Sequence, residues 1–357
     1  MINLNKIFNV GLIGYSSGGR IYNGPIISSI NGFNILKIFE RKDHNIHHAR
    51  NNFPKATIVS NLEDILEDPN IDLVIIATPT PLHYSLAHKS LSHHKHTIVE
   101  KPFTITTVES NDLIKLSKEN NKLLSVHHNR TWDSDFLTVK DIIEKKLLGK
   151  LVKYECNFNR FRPEIVSNTW KESPSPGSGV LYDLSSHLIH QSIYLFGLPE
   201  YITANIYIER EGGKAPDSFH IKLQYPDLNV YLNSSMLVRG ELPKFTLLGD
   251  KGSFIKYGVD PQEEFLKKGL LPNLQDNWGR ENENIWGNIN TDINGTHIIG
   301  KVESKLGDYR KYYENIYNTL LGKEKLIISP EQGRDVIRII ELAIESDMNK
   351  SSLPYTP

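Results

Sequence analysis

Apolar residues in the first third of the chain come in short unbroken runs, at residues 7–13, 35–39, 73–77, 97–100 and 123–126. A strand buried on both faces reads as such a run and not as an in–out alternation. Between the runs, residues 18–30, 62–67, 82–93 and 106–120 space their apolar side chains three and four apart, as on one face of a helix. Strands and helices in alternation predict a parallel sheet covered by helices on both sides. Beyond residue 128 the rhythm changes. A helix is expected at 134–146, where Phe136, Val139, Ile142 and Ile143 share a face. A long strand is expected at 151–161, then an irregular stretch rich in Pro, Ser and Gly at 163–179, then a helix at 181–195. Residues 201–208, 219–225, 229–238, 245–248 and 253–257 read as successive strands without crossover helices, which points to antiparallel pairing. Residues 258–305 are polar and read as a long excursion, and helices at 309–321 and 330–347 close the chain.

The expected class is therefore α/β. A doubly wound parallel sheet of the Rossmann type is expected over 1–127, followed over 128–357 by an α/β domain with a predominantly antiparallel open sheet. The length of 357 residues agrees with two domains of roughly 150 residues each. An apolar content of 39%, with 13 Phe, 16 Tyr and 4 Trp, fills real cores and excludes global disorder. The 41 basic and 42 acidic side chains leave no whole-molecule field to draw in nucleic acid or an anionic membrane. One cysteine, Cys156, excludes an internal disulfide framework and a Cys-based zinc site, and reads as a buried small hydrophobe. The best apolar run, at 73–77, is far short of the ~18 residues of a membrane span. The N-terminus passes straight into a strand pattern and lacks a signal peptide's apolar stretch, so a cytoplasmic protein is expected.

Candidate chemistry begins after the first strand, where residues 11–20 read GLIGYSSGGR. Set against the dinucleotide fingerprint G-x-G-x-x-G, Gly14, Ser16 and Gly19 take the three glycine positions, so the middle one is Ser. Gly14 would make the tight turn and Gly19 would let the following helix lie close to the strand. Ser17, Gly18 and Arg20 complete the turn, whose helix N-terminus offers amide donors to a pyrophosphate. Glu40 lies 21 positions after Gly19 at the end of the second strand, where an adenosine ribose is gripped through its hydroxyls. Glu40 favours NAD, while Arg41 and Lys42 beside it permit NADP.

The next strand ends in Glu100-Lys101-Pro102. With it go Ala77-Thr78-Pro79 and His83, the run from His128-Asn129-Arg130 to Phe136, Arg160-Phe161-Arg162-Pro163, Gly177-Ser178-Gly179 and Tyr182-Asp183-Leu184-Ser185-Ser186-His187. Lys256-Tyr257-Gly258, Asp260-Pro261-Gln262-Glu263 and Gly307-Asp308-Tyr309 follow. In these stretches the sequence resembles the Gfo/Idh/MocA family of NAD(P)-dependent sugar and cyclitol dehydrogenases, over nearly its whole length. The subgroup it resembles is that of scyllo-inositol dehydrogenases.

The resemblance implies hydride transfer between NAD or NADP and a secondary alcohol of a polyol or sugar. It implies that Lys101, Asp183 and His187 are catalytic, with His187 taking the hydroxyl proton, Asp183 orienting or charge-stabilising it and Lys101 stabilising developing alkoxide or relaying the proton. It adds Thr78, Pro79, His83, Glu100 and Lys101 to the cofactor-binding set of Gly14, Ser16, Ser17, Gly18, Gly19, Arg20, Glu40 and Arg41. It assigns Asn129, Trp132, Arg160, Tyr182, Asp183, His187 and His190 to substrate, a cis peptide before Pro102, and a homodimer or homotetramer formed through the second domain's sheet. The sequence departs from the family at Ser16 (Gly), Asn23 (His), Thr131 (Arg) and His190 (Asp). Two readings of another kind fit the same fold: a non-catalytic dinucleotide-binding sensor and a redox-assisted glycosidase.

No metal site is expected. His93, His94 and His96 stand near a helix end and read as caps, because imidazole suits the negative pole of the helix dipole. His44, His47 and His48 read as a polar helix face. His127 and His128 end the last strand of the parallel sheet, on the edge that faces ligand.

Overall fold

The structure is a computed structural model that describes residues 6–166 and 169–356. In chain order its strands are β1 (Phe8–Ile13), β2 (Phe33–Phe39), β3 (Thr57–Val59), β4 (Leu73–Ile76), β5 (His96–Glu100), β6 (Leu124–His127), β7 (Leu151–Asn157) and β8 (Tyr201–Tyr207). They continue with β9 (Ser218–Gln224), β10 (Asn229–Ser235), β11 (Phe245–Gly249), β12 (Gly252–Lys256), β13 (Gly287–Ile293), β14 (Thr296–Val302) and β15 (Leu353–Pro354). The helices are α1 (Gly24–Ile27), α2 (Asp43–Asn52), α3 (Glu63–Leu66), α4 (His83–Ser92), α5 (Thr107–Glu119), α6 (Ser134–Glu144), α7 (Ser186–Phe196), α8 (Gln262–Lys267), α9 (Arg310–Leu320) and α10 (Pro330–Asn349). The chain divides into two compact units: Met1–Asn129 with Gln262–Trp278 and Tyr309–Arg334, and Arg130–Pro261 with Gly279–Asp308 and Asp335–Pro357.

In the first unit six parallel strands run in the order β3-β2-β1-β4-β5-β6. The winding reverses between β1 and β4, which opens a crevice beyond their carboxyl ends. Val10, Leu12, Leu73, Val74, Ile75, Ile76, Ile98 and Val99 are fully buried, as continuous apolar strands require. β3 escapes sequence detection because it is three residues long and half-exposed at the sheet edge. α5 opens with a reciprocal cap, the Thr106 hydroxyl accepting from the Glu109 amide and the Glu109 carboxylate from the Thr106 amide. α9 is tied to β6 through Tyr312, whose hydroxyl donates to Ser125 Oγ at 2.9 Å.

In the second unit nine strands run in the order β14-β13-β12-β11-β7-β10-β9-β8-β15, antiparallel except for the β7–β10 pair. One face is apolar: Tyr154, Phe219, Ile221, Val230, Leu232, Phe245, Leu247 and Phe254 are buried. Tyr154 meets Phe196 of α7 edge-on at 5.3 Å, and the Ser346 hydroxyl of α10 accepts from the Ala204 amide. The other face carries Lys153, Glu155, Asn157, Tyr231, Asn233 and His220, all half-buried or exposed. Cys156 lies on the apolar face, and burial pushes its thiol far above its ordinary range, so it is inert at neutral pH.

Three elements differ from expectation. The strand expected at 151–161 ends at Asn157; beyond it the backbone bonds on one side only, Phe158 N to Asn233 O and Arg160 N to Ser235 O. The helix expected at 181–195 opens instead with a wide π-type turn, Leu181–Ser185, ahead of α7. The polar excursion at 258–305 holds α8 and the β13–β14 hairpin, which extends the sheet. β14 is exposed almost throughout, so nothing forces apolar residues into it. Among the described residues no helix is long and apolar enough to cross a membrane.

Candidate functional site

Within the first unit, the cofactor-type turn sits at the switch point. Gly14 leaves β1 with φ +93°, and a Cβ there would lie 2.8 Å from the Ala77 carbonyl at the end of β4. A Cβ on Gly19 would lie 2.1 Å from the Gly14 carbonyl oxygen, so only glycine permits this close approach of helix and strand. A Cβ on Gly18 would stand 3.2 Å from the Ala77 carbonyl. Gly18–Asn23 forms a second π-type turn that leads into α1. π-type turns are rare and recur at functional sites. Ser16 and Ser17 are exposed, so a side chain at the middle fingerprint position meets no steric obstacle. Thr78 faces Gly14, and its hydroxyl is buried without a hydrogen-bond partner. A glycine-lined cradle with an unsatisfied hydroxyl beside it fits a dinucleotide pyrophosphate.

Glu40 ends β2, as expected, but its carboxylate is turned onto its own chain. Oε1 accepts from the amides of Arg41 at 2.8 Å and Lys42 at 3.0 Å, and Oε2 from Asn45 Nδ2 at 2.8 Å. Burial works against its charge, yet hydrogen bonds from Lys42, Arg41, Asn45 and Tyr15 outweigh burial and hold the carboxyl below its usual range. Arg41 and Lys42 are exposed and Arg20 is half-buried. Burial, and after it the Arg20 charge, depresses the basicity of His48.

Pro79 is exposed. His83 is buried, with Nδ1 2.8 Å from the Pro102 carbonyl and Nε2 2.9 Å from the Thr78 carbonyl. Burial pushes its basicity down, so the neutral ring donates to one carbonyl at a time and joins the β4 and β5 loops. The Lys101–Pro102 peptide is cis, as the resemblance implies. The Lys101 side chain is half-buried, and its amide donates to Glu100 Oε2 at 3.1 Å. Glu100 Oε1 accepts from His127 Nδ1 at 2.8 Å and from Asn23 Nδ2 at 2.6 Å. Burial opposes ionisation of Glu100, but His127, Lys101 and Asn23 together hold its carboxyl below its usual range. His127 packs against the adjacent Tyr312 and Tyr313 rings, with centroid distances of 4.9 and 5.7 Å. Asn129 is buried where the first unit ends.

Within the second unit, Tyr182 and Asp183 lie in the wide turn Leu181–Ser185, and His187 is the second residue of α7. Tyr182 and His187 are buried. Lys171, which the sequence reading missed, donates to Asp183 Oδ2 at 2.9 Å. The neighbouring Glu172 is gripped by Arg210 Nη2 at 2.8 Å, and Arg210 Nε donates to Asp217 Oδ2 at 2.9 Å. The irregular stretch thus delivers Lys171 to Asp183. No local pattern announces this, because the anchor Arg210 is remote in sequence. Trp132 is buried, and the Arg160 guanidinium lies 5.4 Å from the Phe158 ring centroid. Two departures from the family meet: Thr131 Oγ1 and His190 Nδ1 are 3.4 Å apart. Where an Arg and an Asp are usual, this chain sets a hydroxyl against an imidazole.

His93 Nδ1 lies 2.8 Å from the Lys89 carbonyl at the end of α4, and His96 Nδ1 accepts from the Leu123 amide. Burial pushes the basicity of His96 down to about 4. Among the described residues no group of three or more His, Cys, Asp or Glu side chains is arranged to hold a metal ion.

Comparison with known proteins bears on both units. Residues 8–128 match the Gfo/Idh/MocA description "oxidoreductase family, NAD-binding Rossmann fold", and residues 140–355 match its C-terminal alpha/beta domain. The chain is 37% identical over 344 residues to scyllo-inositol 2-dehydrogenase (NADP(+)) IolW of Bacillus subtilis, covering 96% of this chain and 95% of that one. It is 38% identical over 349 residues to the uncharacterized oxidoreductase YdgJ of Escherichia coli, covering 96% and 97%. The triclinic structure of yvaA from Bacillus subtilis superposes with a TM-score of 0.94 at 35% identity, over 99% of both chains.

Proposed function

This chain belongs to the Gfo/Idh/MocA family of oxidoreductases, and on that premise we propose that it moves hydride reversibly between NADP and a secondary alcohol of a cyclitol or sugar. The observation that carries the reading is the glycine-built turn at the β1/β4 switch point, with Lys101 at the end of β5 on the same sheet edge. The bound nicotinamide supplies the hydride acceptor. The protein's part is the proton. Oxidation of a secondary alcohol requires the hydroxyl proton to leave as hydride leaves carbon. His187 takes it, since imidazole titrates near neutral pH. Asp183 orients His187 and the substrate hydroxyls, and Lys171 holds the Asp183 carboxylate in place. Lys101 stabilises the developing alkoxide, and its backbone is held by Glu100. A scyllo-inositol-like polyol is the first substrate to try, because the resemblance to the scyllo-inositol 2-dehydrogenase IolW extends over 96% of this chain and 95% of that one. A panel of cyclitols and aldoses, offered with NADP+ and NAD+ and followed by absorbance of the reduced nicotinamide, tests the proposal. Turnover of at least one cyclitol or aldose is expected, and no turnover of any would reject it.

The preference for NADP reverses the simplest reading of Glu40. Hydrogen bonds from Arg41, Lys42 and Asn45 of its own turn, and from the Tyr15 backbone, engage its carboxylate, so it is a poor acceptor for ribose hydroxyls. Arg41 and Lys42 lie exposed beside it, with Arg20 in the preceding turn. An Arg near the end of β2 accommodates a 2′-phosphate. Wild type is expected to bind NADPH more tightly than NADH, and Arg41→Ser to lose about tenfold in NADPH affinity, with little change for NADH. Fluorescence titration of both reduced cofactors checks this, and tighter NADH binding by wild type would overturn it. We also assign a dimer or tetramer to the outer face of the nine-stranded sheet. Its ladder links the exposed His220 to the half-buried Asn233 at 2.9 Å and Asn233 to the half-buried Asn157 at 3.0 Å.

A further inference from the structure

We propose that Asn23 is a positioning residue that ties the cofactor-binding turn to the strand end carrying Lys101, and that the tie needs an uncharged amide. The inference rests on the dinucleotide reading of that turn. Asn23 is fully buried, and its side chain makes three hydrogen bonds. Nδ2 donates to the Gly18 carbonyl at 3.0 Å and to Glu100 Oε1 at 2.6 Å, while Oδ1 accepts from the Tyr313 hydroxyl. Glu100 in turn accepts the Lys101 amide through its other oxygen. A continuous path therefore runs from the Gly18 carbonyl through Asn23 and Glu100 to the backbone of Lys101. The groups that bind pyrophosphate and the group that meets the alkoxide are referred to one rigid support.

Only a side-chain amide of this size supplies two donors and an acceptor at once. A neutral imidazole has one donor and one acceptor, and a carboxylate has no donor. The titratable groups around Asn23 are Glu100, His127, Tyr312 and Tyr313, with Lys101 close enough to act on Glu100. Asn23→Asp keeps the shape and sets a second carboxyl against Glu100 and the Gly18 carbonyl. Two carboxylates at that spacing cannot both ionise freely, so the pair holds a proton at low pH and loses it as pH rises. The shared proton restores one donor, and its loss leaves only repulsion.

The test is fluorescence titration of NADPH without substrate, between about pH 6 and pH 8, with melting temperature measured in parallel. Wild type is expected to change by less than about threefold across that range, and Asn23→Asp to weaken by about tenfold or more as pH rises. Its kcat should fall over the same interval with the best substrate of the polyol panel. Asn23→Ser, which keeps one donor and adds no charge, should weaken NADPH binding by about fivefold at every pH. If Asn23→Asp binds NADPH as wild type does at both ends of the range, the tie is refuted. If Asn23→Asp does not fold, the Ser variant decides: wild-type affinity and kcat would refute the tie. Failure of wild type to bind either reduced cofactor would instead refute the dinucleotide reading, and the inference with it.

Discussion

Lys101→Ala is expected to abolish turnover, lowering kcat/KM by about a thousandfold or more while NADPH affinity stays within about threefold of wild type. The separation follows from how the residue is held. Its backbone amide is held by Glu100, and truncation beyond Cβ does not touch that bond. The side chain is half-buried and takes no part in the β5 ladder, so its loss leaves no cavity in the sheet. On the proposed mechanism, what disappears is the cation that stabilises the developing alkoxide, an interaction stronger in the transition state than in the ground state. Steady-state kinetics with a cofactor titration checks both halves. Retained turnover would remove Lys101 from the chemistry, and lost cofactor affinity would recast it as a binding residue.

Gly19→Ala is expected to be nearly as damaging, by a different route. The added methyl would stand 2.1 Å from the Gly14 carbonyl oxygen, and neither partner is a side chain that can rotate away. Turn and helix must separate, at a cost of about 3 kcal/mol or more. The movement also widens the cradle, so NADPH affinity should fall by about a hundredfold. Ser16→Gly makes the contrast. Ser16 is exposed, so restoring glycine there should change stability by less than about 1 kcal/mol. Thermal denaturation and NADPH titration of the two variants test the pair. An unchanged melting temperature for Gly19→Ala would mean that the turn is not packed as described.

The sequence made the parallel sheet legible because its strands are buried on both faces and announce themselves as runs. It made the cofactor turn legible because Gly14 and Gly19 are demanded by contacts only glycine allows. The β13–β14 hairpin was illegible for the opposite reason: an exposed edge has no apolar face to display. The wide turn at Leu181–Ser185 was equally hidden, since the spacing of Asp183 and His187 suits a regular helix as well as a π-type turn opening into one. Side-chain partners brought in from distant segments were out of reach. Asn23 meets Tyr313 across 290 positions, and Lys171 reaches Asp183 only because Arg210 anchors its neighbour. Thr131 and His190 stood out singly as departures, and only the fold shows that they touch. Glu40 was found by its position, but its bonds to its own turn change what it says about cofactor choice.

Isotope transfer from substrate to nicotinamide reports on hydride transfer itself. A cyclitol deuterated at its secondary carbons would be incubated with NADP+ and the protein, and the recovered nicotinamide examined by mass spectrometry and proton NMR. Deuterium at C4 of the reduced ring, on one face only, is the predicted result, and it should vanish with Lys101→Ala. Tight cofactor binding with no deuterium transferred from any cyclitol or aldose of the panel would contradict the account and leave a dinucleotide-binding sensor in its place.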